Sequence, residues 1–281
     1  MSRSLFLSEW ERMWKRKITW LFLIAMPAVV AATAKYYAGH NLGTPPASPE
    51  YTWAGNFPVM ALIEQLIVVF NVISLVLLTL SVTEEYRSGQ IRMVMLRSFT
   101  AGQLLRAKWL AHTAVMALYF TVYLLFSGVA GLLFFKSHDY MQLFYYDHTV
   151  RVSGMLGYTL MYYAIAFMTV LALGSVFMAA AVISRTTTGA VGLGLGFLLC
   201  SLGFPLIYQL ANRVGGLGMP AMLKYLSLTE IQYSGIAVML GQAQAVNSGA
   251  VALAALLVCA LYAAVFGVGS LLVFSKSDRW M

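Results

Sequence analysis

Glu84-Glu85-Tyr86-Arg87-Ser88-Gly89-Gln90, running on through Met95-Leu96-Arg97-Ser98-Phe99-Thr100-Ala101-Gly102-Gln103 to Lys108, is the one long polar, positively charged segment between two very apolar stretches. Those flanks, 57–83 and 109–135, decide the fold class. A bilayer-spanning helix needs roughly 20 mostly apolar residues, and both flanks exceed that. Four more windows, 18–38 (with Pro27), 154–184, 189–210 and 248–275, complete the set. The whole chain of 281 residues is 60% hydrophobic and 10% charged, with mean hydropathy +0.78, whereas soluble domains carry about 25% charged residues. The reading is an all-α integral membrane protein, a single transmembrane domain of six helices. The loops are too short for a separate soluble core.

Lys and Arg set the orientation, because cytoplasmic loops carry an excess of them. With the N-terminus inside, Arg3, Arg12, Lys15, Arg16, Lys17, Arg87, Arg92, Arg97, Arg106, Lys108, Arg185, Lys276 and Arg279 all fall on the inner side. Only Lys35, Lys136, Arg151, Arg213 and Lys224 fall outside. Both termini are therefore expected in the cytoplasm. The formal charge of +8 is mostly a topology signal that also attracts anionic headgroups. Spread along one membrane face, it fits nucleic acid poorly.

The N-terminal stretch has the outline of a signal peptide, with positive residues, an apolar run and then Ala32-Thr33-Ala34. The charged part is long and helical in pattern, however, with Phe6, Trp10, Met13 and Trp14 on one face and Arg12, Lys15 and Arg16 off it. It reads as an amphipathic helix lying on the inner leaflet before the first span. In the inner segment 84–108, Thr100-Ala101-Gly102-Gln103 has the spacing of a capping box, with Leu104, Leu105, Lys108 and Trp109 continuing into the third span. Gly89 breaks the polar end of the second. Either the segment carries short helices that meet a partner, or it is a solvated basic loop that only fixes topology.

Polar groups inside the spans are few. Glu64 lies about two turns into the second span, and Asn71 follows at i+7, which places both near one face. Intramembrane carboxylates are costly and face protein or a water-filled cavity. Glu64 is therefore a candidate for a substrate path or a proton-sensitive group, or a structural hydrogen-bonding residue, with Asn71 as interhelical glue. His40 and His112 show no partners. His138-Asp139 and Asp147-His148 bracket Tyr140, Phe144, Tyr145 and Tyr146, which read as an interfacial aromatic belt rather than as metal ligands. Cys200 and Cys259 read as buried apolar side chains. Gly192 and Gly196 give a Gly-x-x-x-Gly spacing suited to close helix packing. No phosphate-binding loop of the form Gly-x-x-x-x-Gly-Lys-Ser/Thr occurs, and no nucleophile–base constellation is recognisable. Residues 211–247 are too broken for a span and read as a re-entrant outer segment.

The order Glu84/Glu85, Gly89, Leu96, Thr100 and Lys108 before an apolar span resembles the signature of permease subunits of type 2 ABC exporters. In that family an acidic residue ends the second span. A Gly-Thr pair, a Leu-rich turn and Pro-x-Ser-Arg follow, then a Lys before the third span. The chain departs at Gln90 (for Thr), Ser98 (for Pro) and Ala101 (for Arg). The N-terminal helix, six spans, the Ser184-Arg185-Thr186-Thr187 turn, the outer segment before the last span and the C-terminal pair Phe274 and Asp278 extend the resemblance over essentially the whole chain.

The resemblance implies a multi-pass protein of the cell membrane that pairs with a second permease copy or a paralogue, each half docking an ATP-binding cassette ATPase. Glu84, Glu85, Arg87, Gly89, Gln90 and Arg97 would contact the ATPase, braced by Trp10, Trp14 and Arg16. The second, first and fifth spans would line the partner interface, with Glu64 and Asn71 as substrate-path candidates. ATP and magnesium would sit on the ATPase, leaving this chain without cofactor, metal or catalytic residue. The substrate is expected to leave the cell, with a hydrophobic or amphipathic peptide, drug or lipid in view. A self-contained secondary transporter and a non-transport membrane subunit are the competing readings.

Overall fold

A computed structural model of the chain describes residues 3–88, 100–214, 220–245 and 247–277. The chain opens with α1 (Arg3–Trp14) and α2 (Lys17–His40). Next come α3 (Phe57–Gln65), a π-helical turn at Leu66–Phe70 and α4 (Asn71–Ser88). After α5 (Ala101–Phe134), a two-stranded antiparallel hairpin pairs β1 (Tyr140–Met141) with β2 (Val150–Arg151). Helices α6 (Val152–Ser184) and α7 (Thr187–Arg213) follow. A 3-10 turn (Ala221–Leu226) leads to α8 (Leu228–Glu230), a second π turn (Ile231–Gly235) and α9 (Ile236–Leu240). The last helix is α10 (Ser248–Ser277).

Among the described residues six helices are long and apolar enough to cross a bilayer: Lys17–His40, Phe57–Glu84, Ala101–Phe134, Val152–Ser184, Thr187–Arg213 and Ser248–Lys276. The protein is a multi-pass membrane protein. The third of these starts at Ala101 rather than at 109, because Thr100 caps it. Its hydroxyl accepts the Gln103 backbone N–H at 3.3 Å, while the Gln103 side chain accepts the Thr100 backbone N–H at 3.1 Å. The turn between α6 and α7 is as tight as its sequence suggests. Arg185 closes α6 in the left-handed conformation (φ 56°), and the Thr186 hydroxyl caps α7 by accepting from Gly189 N–H.

The apolar windows of α6 and of the α3–α4 span are 78% and 67% buried, against 22–33% in the other four. These two elements therefore form the centre, and α2, α5, α7 and α10 wrap it. Tyr119, Tyr123, Tyr162, Phe70 and Phe177 are fully enclosed, and most of these rings pack edge-on or tilted. Close helix approach falls at Gly194, whose missing side chain makes room for Leu75 of α4. The expected packing pair, Gly192 and Gly196, instead faces open space within this chain. Cys259 is buried, but Cys200 is exposed on α7, so only one of the two cysteines is a core side chain.

The segment before α10 re-enters the bundle. Its 3-10 turn descends beside α7 until the Ser227 hydroxyl donates to the Ser201 carbonyl at 2.7 Å, midway along that helix. The Ser201, Ser227 and Thr229 hydroxyls close a triangle of 2.9–3.0 Å contacts. The chain then climbs out through α9. At the exit Gly241 packs on Tyr145 (φ 60°), and the Tyr145 carbonyl accepts from Gln242 and Ala243 N–H. Asp147 accepts the Gln244 N–H at 2.7 Å, so one of the acidic residues beside the aromatic belt ties the hairpin to the re-entrant segment.

Filling Gly194 should therefore matter more than filling Gly192. Gly194→Leu is expected to cost about 1–3 kcal/mol of overpacking and to lower the midpoint of thermal unfolding in detergent, with Gly192→Leu near wild type. The two midpoints measured side by side check this.

Candidate functional site

The described residues on either side of positions 89–99 are held by charges. Two turns into α5, the Lys108 ammonium is 2% exposed. It donates to the Glu9 carboxylate of α1 at 2.7 Å and to the Ser81 carbonyl of α4 at 2.9 Å. The other Glu9 oxygen accepts from Arg12 at 3.1 Å. A second bridge, Arg16 to Glu84 at 2.9 Å, ties the α1–α2 corner to the end of the second span. The Lys108 pair joins α1, α4 and α5, because a buried charge survives only when it is paired and hydrogen-bonded.

The α1–α2 corner is itself rigid. Thr19 donates its hydroxyl to the Met13 carbonyl at 2.6 Å, and Tyr119 of α5 donates to the Thr19 carbonyl at 2.6 Å. Trp10 meets Trp14, and Trp14 meets Trp20, edge-on with ring centres 5.6 and 5.1 Å apart. The Trp20 indole also donates to the Trp14 carbonyl. The packed face of α1 is Leu5, Glu9 and Met13, with Phe6, Trp10 and Trp14 half-buried at its edge. This corrects the face read from the sequence, which omitted Glu9. A lone carboxylate in an amphipathic helix reads as solvated until its buried partner is known.

Of the residues singled out in the loop, the structure brings Glu84 against Arg16. Gly89, Gln90 and Arg97 lie outside the described residues, as do the side chains of Glu85 and Arg87. Asp278 also lies outside them.

Inside the membrane-crossing region, Glu64 and Asn71 part company, although their i+7 spacing placed them together. Glu64 is exposed and Asn71 fully buried. The π turn at Leu66–Phe70 inserts one extra residue between them and rotates all that follows by about 100°. Glu64 accepts the Tyr37 hydroxyl of α2 at 3.0 Å, and the neighbouring Gln65 donates to Thr33 at 3.0 Å. Asn71 points the other way, into the bundle. Its amide donates to the Ile67 carbonyl at 3.0 Å and to the Gln232 side chain at 2.7 Å. Gln232 donates back to Asn71 at 3.2 Å and to Thr169 of α6 at 3.1 Å.

Both π turns therefore flank one polar knot: Asn71 directly follows the first, and Gln232 lies in the second. Each amide hydrogen in that knot has an acceptor. Gln232 carried no signal in sequence, since its surroundings look like broken loop. The two histidines that showed no partner also have one, His112 with Ser74 at 3.1 Å and His40 with Thr44 at 3.1 Å.

The family model described as "Protein of unknown function (DUF2705)" matches residues 18–279. The chain belongs to that family. No curated protein matches it.

The buried ion pair supplies a double-mutant test. Lys108→Met leaves the enclosed Glu9 one cationic partner fewer, with Arg12 still beside it, and is expected to cost about 1–3 kcal/mol. Lys108→Met with Glu9→Met removes both charges and should recover much of that loss. Thermal unfolding of the four proteins in one detergent measures the coupling.

Proposed function

We propose that this chain is the membrane-spanning permease subunit of an ATP-binding-cassette exporter, driven by ATP hydrolysed on a separate subunit. The observation that carries the reading is the clamp at the loop. Through Lys108–Glu9 and Arg16–Glu84, a force applied between the end of α4 and the start of α5 reaches α1, α4 and α5 together. This is the mechanical property required of a segment on which an ATPase pushes. The resemblance of residues 84–108 to the corresponding segment of type 2 ABC permeases supports the same reading, as do the two bridges from residues 9 and 16 to either flank of that segment.

Mechanism follows from these parts. An ATPase docked on Glu84, Glu85, Arg87, Gly89, Gln90 and Arg97 would move the clamped elements as one body. Two copies, or this chain and a paralogue, would rock against each other across α2, the α3–α4 span and α7. The outward-facing Gly192 and Gly196 of α7 allow another helix to approach there. Glu64, exposed on the outer flank of α3, would face the space between partners, where the cost of a membrane-depth carboxylate is relieved by water or by substrate. Asn71, buried in the Gln232 knot, serves helix packing instead. The positive-inside bias supports α1 and both termini in the cytoplasm, and the exporter reading would put the chain in the cell membrane. An α1 with its aromatic edge at the headgroup level suits that placement.

A second reading, a self-contained secondary transporter, has one observation in its favour. Such proteins use interrupted helices and polar groups near mid-membrane, and two π turns meet here around Asn71 and Gln232.

A mild-detergent pull-down of the tagged chain from its native membrane, with mass spectrometry of what comes with it, separates the two. A stoichiometric partner carrying a phosphate-binding loop is the expected result; the chain alone or only self-paired would favour the second reading. Within such a complex, Glu85→Lys with Gly89→Lys should preserve insertion yet uncouple ATP hydrolysis from transport, and undiminished coupling would refute the role given to the loop.

A further inference from the structure

Glu64 precedes by four residues Val68, which lines an apolar trough. Helix α2 meets the second span closely near the Glu64 level, where Tyr37 packs on Phe57 and reaches the Met60 carbonyl and Glu64. Beyond Gln65 the π turn carries the backbone out of register, and α2 no longer fits against it. A groove of about 280 Å³ remains, lined by Phe22, Met26, Val29, Val68, Val69 and Ile73 among others and by no polar surface. Val68 is 62% exposed at its rim.

The acid and the trough are neighbours in sequence on both helices. On one, Glu64 lies four residues before Val68, which is in the π turn. Thr33, which holds Gln65, lies four residues from Val29 on the other.

The carboxylate is under-used. Two carboxylate oxygens offer about four acceptor sites, and one is taken, by Tyr37 at 3.0 Å. Among the described residues no Lys, Arg or His side chain pairs with Glu64. A carboxylate within a span is costly as a charge, and a cation seated against it relieves that cost. An apolar body extending from the cation would fill the trough and gain from burial.

We propose that Glu64 and this groove form a binding site for a lipophilic cation, a molecule with one positive centre and an apolar body. The assignment rests on the permease reading and names its substrate class: an anion of the same shape is repelled, and a neutral one lacks the ion pair. The other occupant such a face could have is a second copy of this chain, and the test distinguishes the two.

The experiment uses the full chain in nanodiscs and radiolabelled tetraphenylphosphonium, with empty nanodiscs subtracted. Tetraphenylborate, of the same shape and opposite charge, is the control. Saturable binding of the cation and none of the borate is expected. Glu64→Gln should weaken the cation by roughly tenfold or more, and Val69→Trp, which fills the trough, should weaken it as well. Glu64→Asp, which keeps the charge, should retain most of the affinity and so exclude simple misfolding.

Equal affinity in Glu64→Gln, or saturable binding of the borate, overturns the proposal. So does a disulfide between Val68→Cys copies that forms equally well with and without the cation, since the face would then belong to the dimer. No ATPase takes part in the assay. Cation binding by a chain that recruits no ATPase would keep the site and discard the exporter. An ATPase partner without cation binding would keep the exporter and discard the site.

Discussion

An ammonium group removed from water must find a counterion, and Lys108 finds one on a different helix. Its contacts to Glu9 and to the Ser81 carbonyl set where α1 lies and where the second and third spans meet at their polar ends. Taking two charges out of water costs several kcal/mol per ion, and their attraction repays it only in good geometry with every remaining donor satisfied. Such a pair adds little to stability compared with apolar side chains of equal size. Its effect is on arrangement: moving α1 away would part Glu9 from Lys108 and leave the buried ammonium without its carboxylate. The aromatic ladder Trp10, Trp14 and Trp20 and the Thr19–Tyr119 hydrogen bond hold the same corner by softer means.

The interior follows a related rule. Lipid offers no hydrogen bonds, so every backbone group in a span must be satisfied within the protein. The π turn at Leu66–Phe70 disturbs the regular ladder, and the Asn71 side chain answers by donating to the Ile67 carbonyl. That leaves the second Asn71 hydrogen for Gln232, and Gln232 for Thr169. One irregular turn thus commits three side chains on three elements. The same turn throws Glu64 to the outside, so a single backbone irregularity sorts one polar residue into the core and the other onto the surface.

The six spans were legible because length and apolar content suffice for them, and the start of α5 was legible because Thr100 and Gln103 have the chemistry of a capping box. Arg16 and Glu84 both stood out, although nothing in sequence joined them. What escaped notice had no local signature. A π turn is written in no residue pattern, so Glu64 and Asn71 were placed on one face by a periodicity that the backbone breaks. Glu9 drew no notice because its partner lies 99 residues away. Lys108 held the missing clue, since a lysine two turns into an apolar helix demands a carboxylate somewhere.

The stretch from Ala221 to Leu240 is fixed by parts of the chain far from it in sequence. Its hydroxyl triangle reaches Ser201, and Gln232 reaches Asn71 across 161 positions. Those contacts form only once their partners on α7 and the second span are in place, so non-local pairing makes this stretch slow to settle. A substitution at Gln232 would be felt at that late step, in a chain whose long helices are already formed.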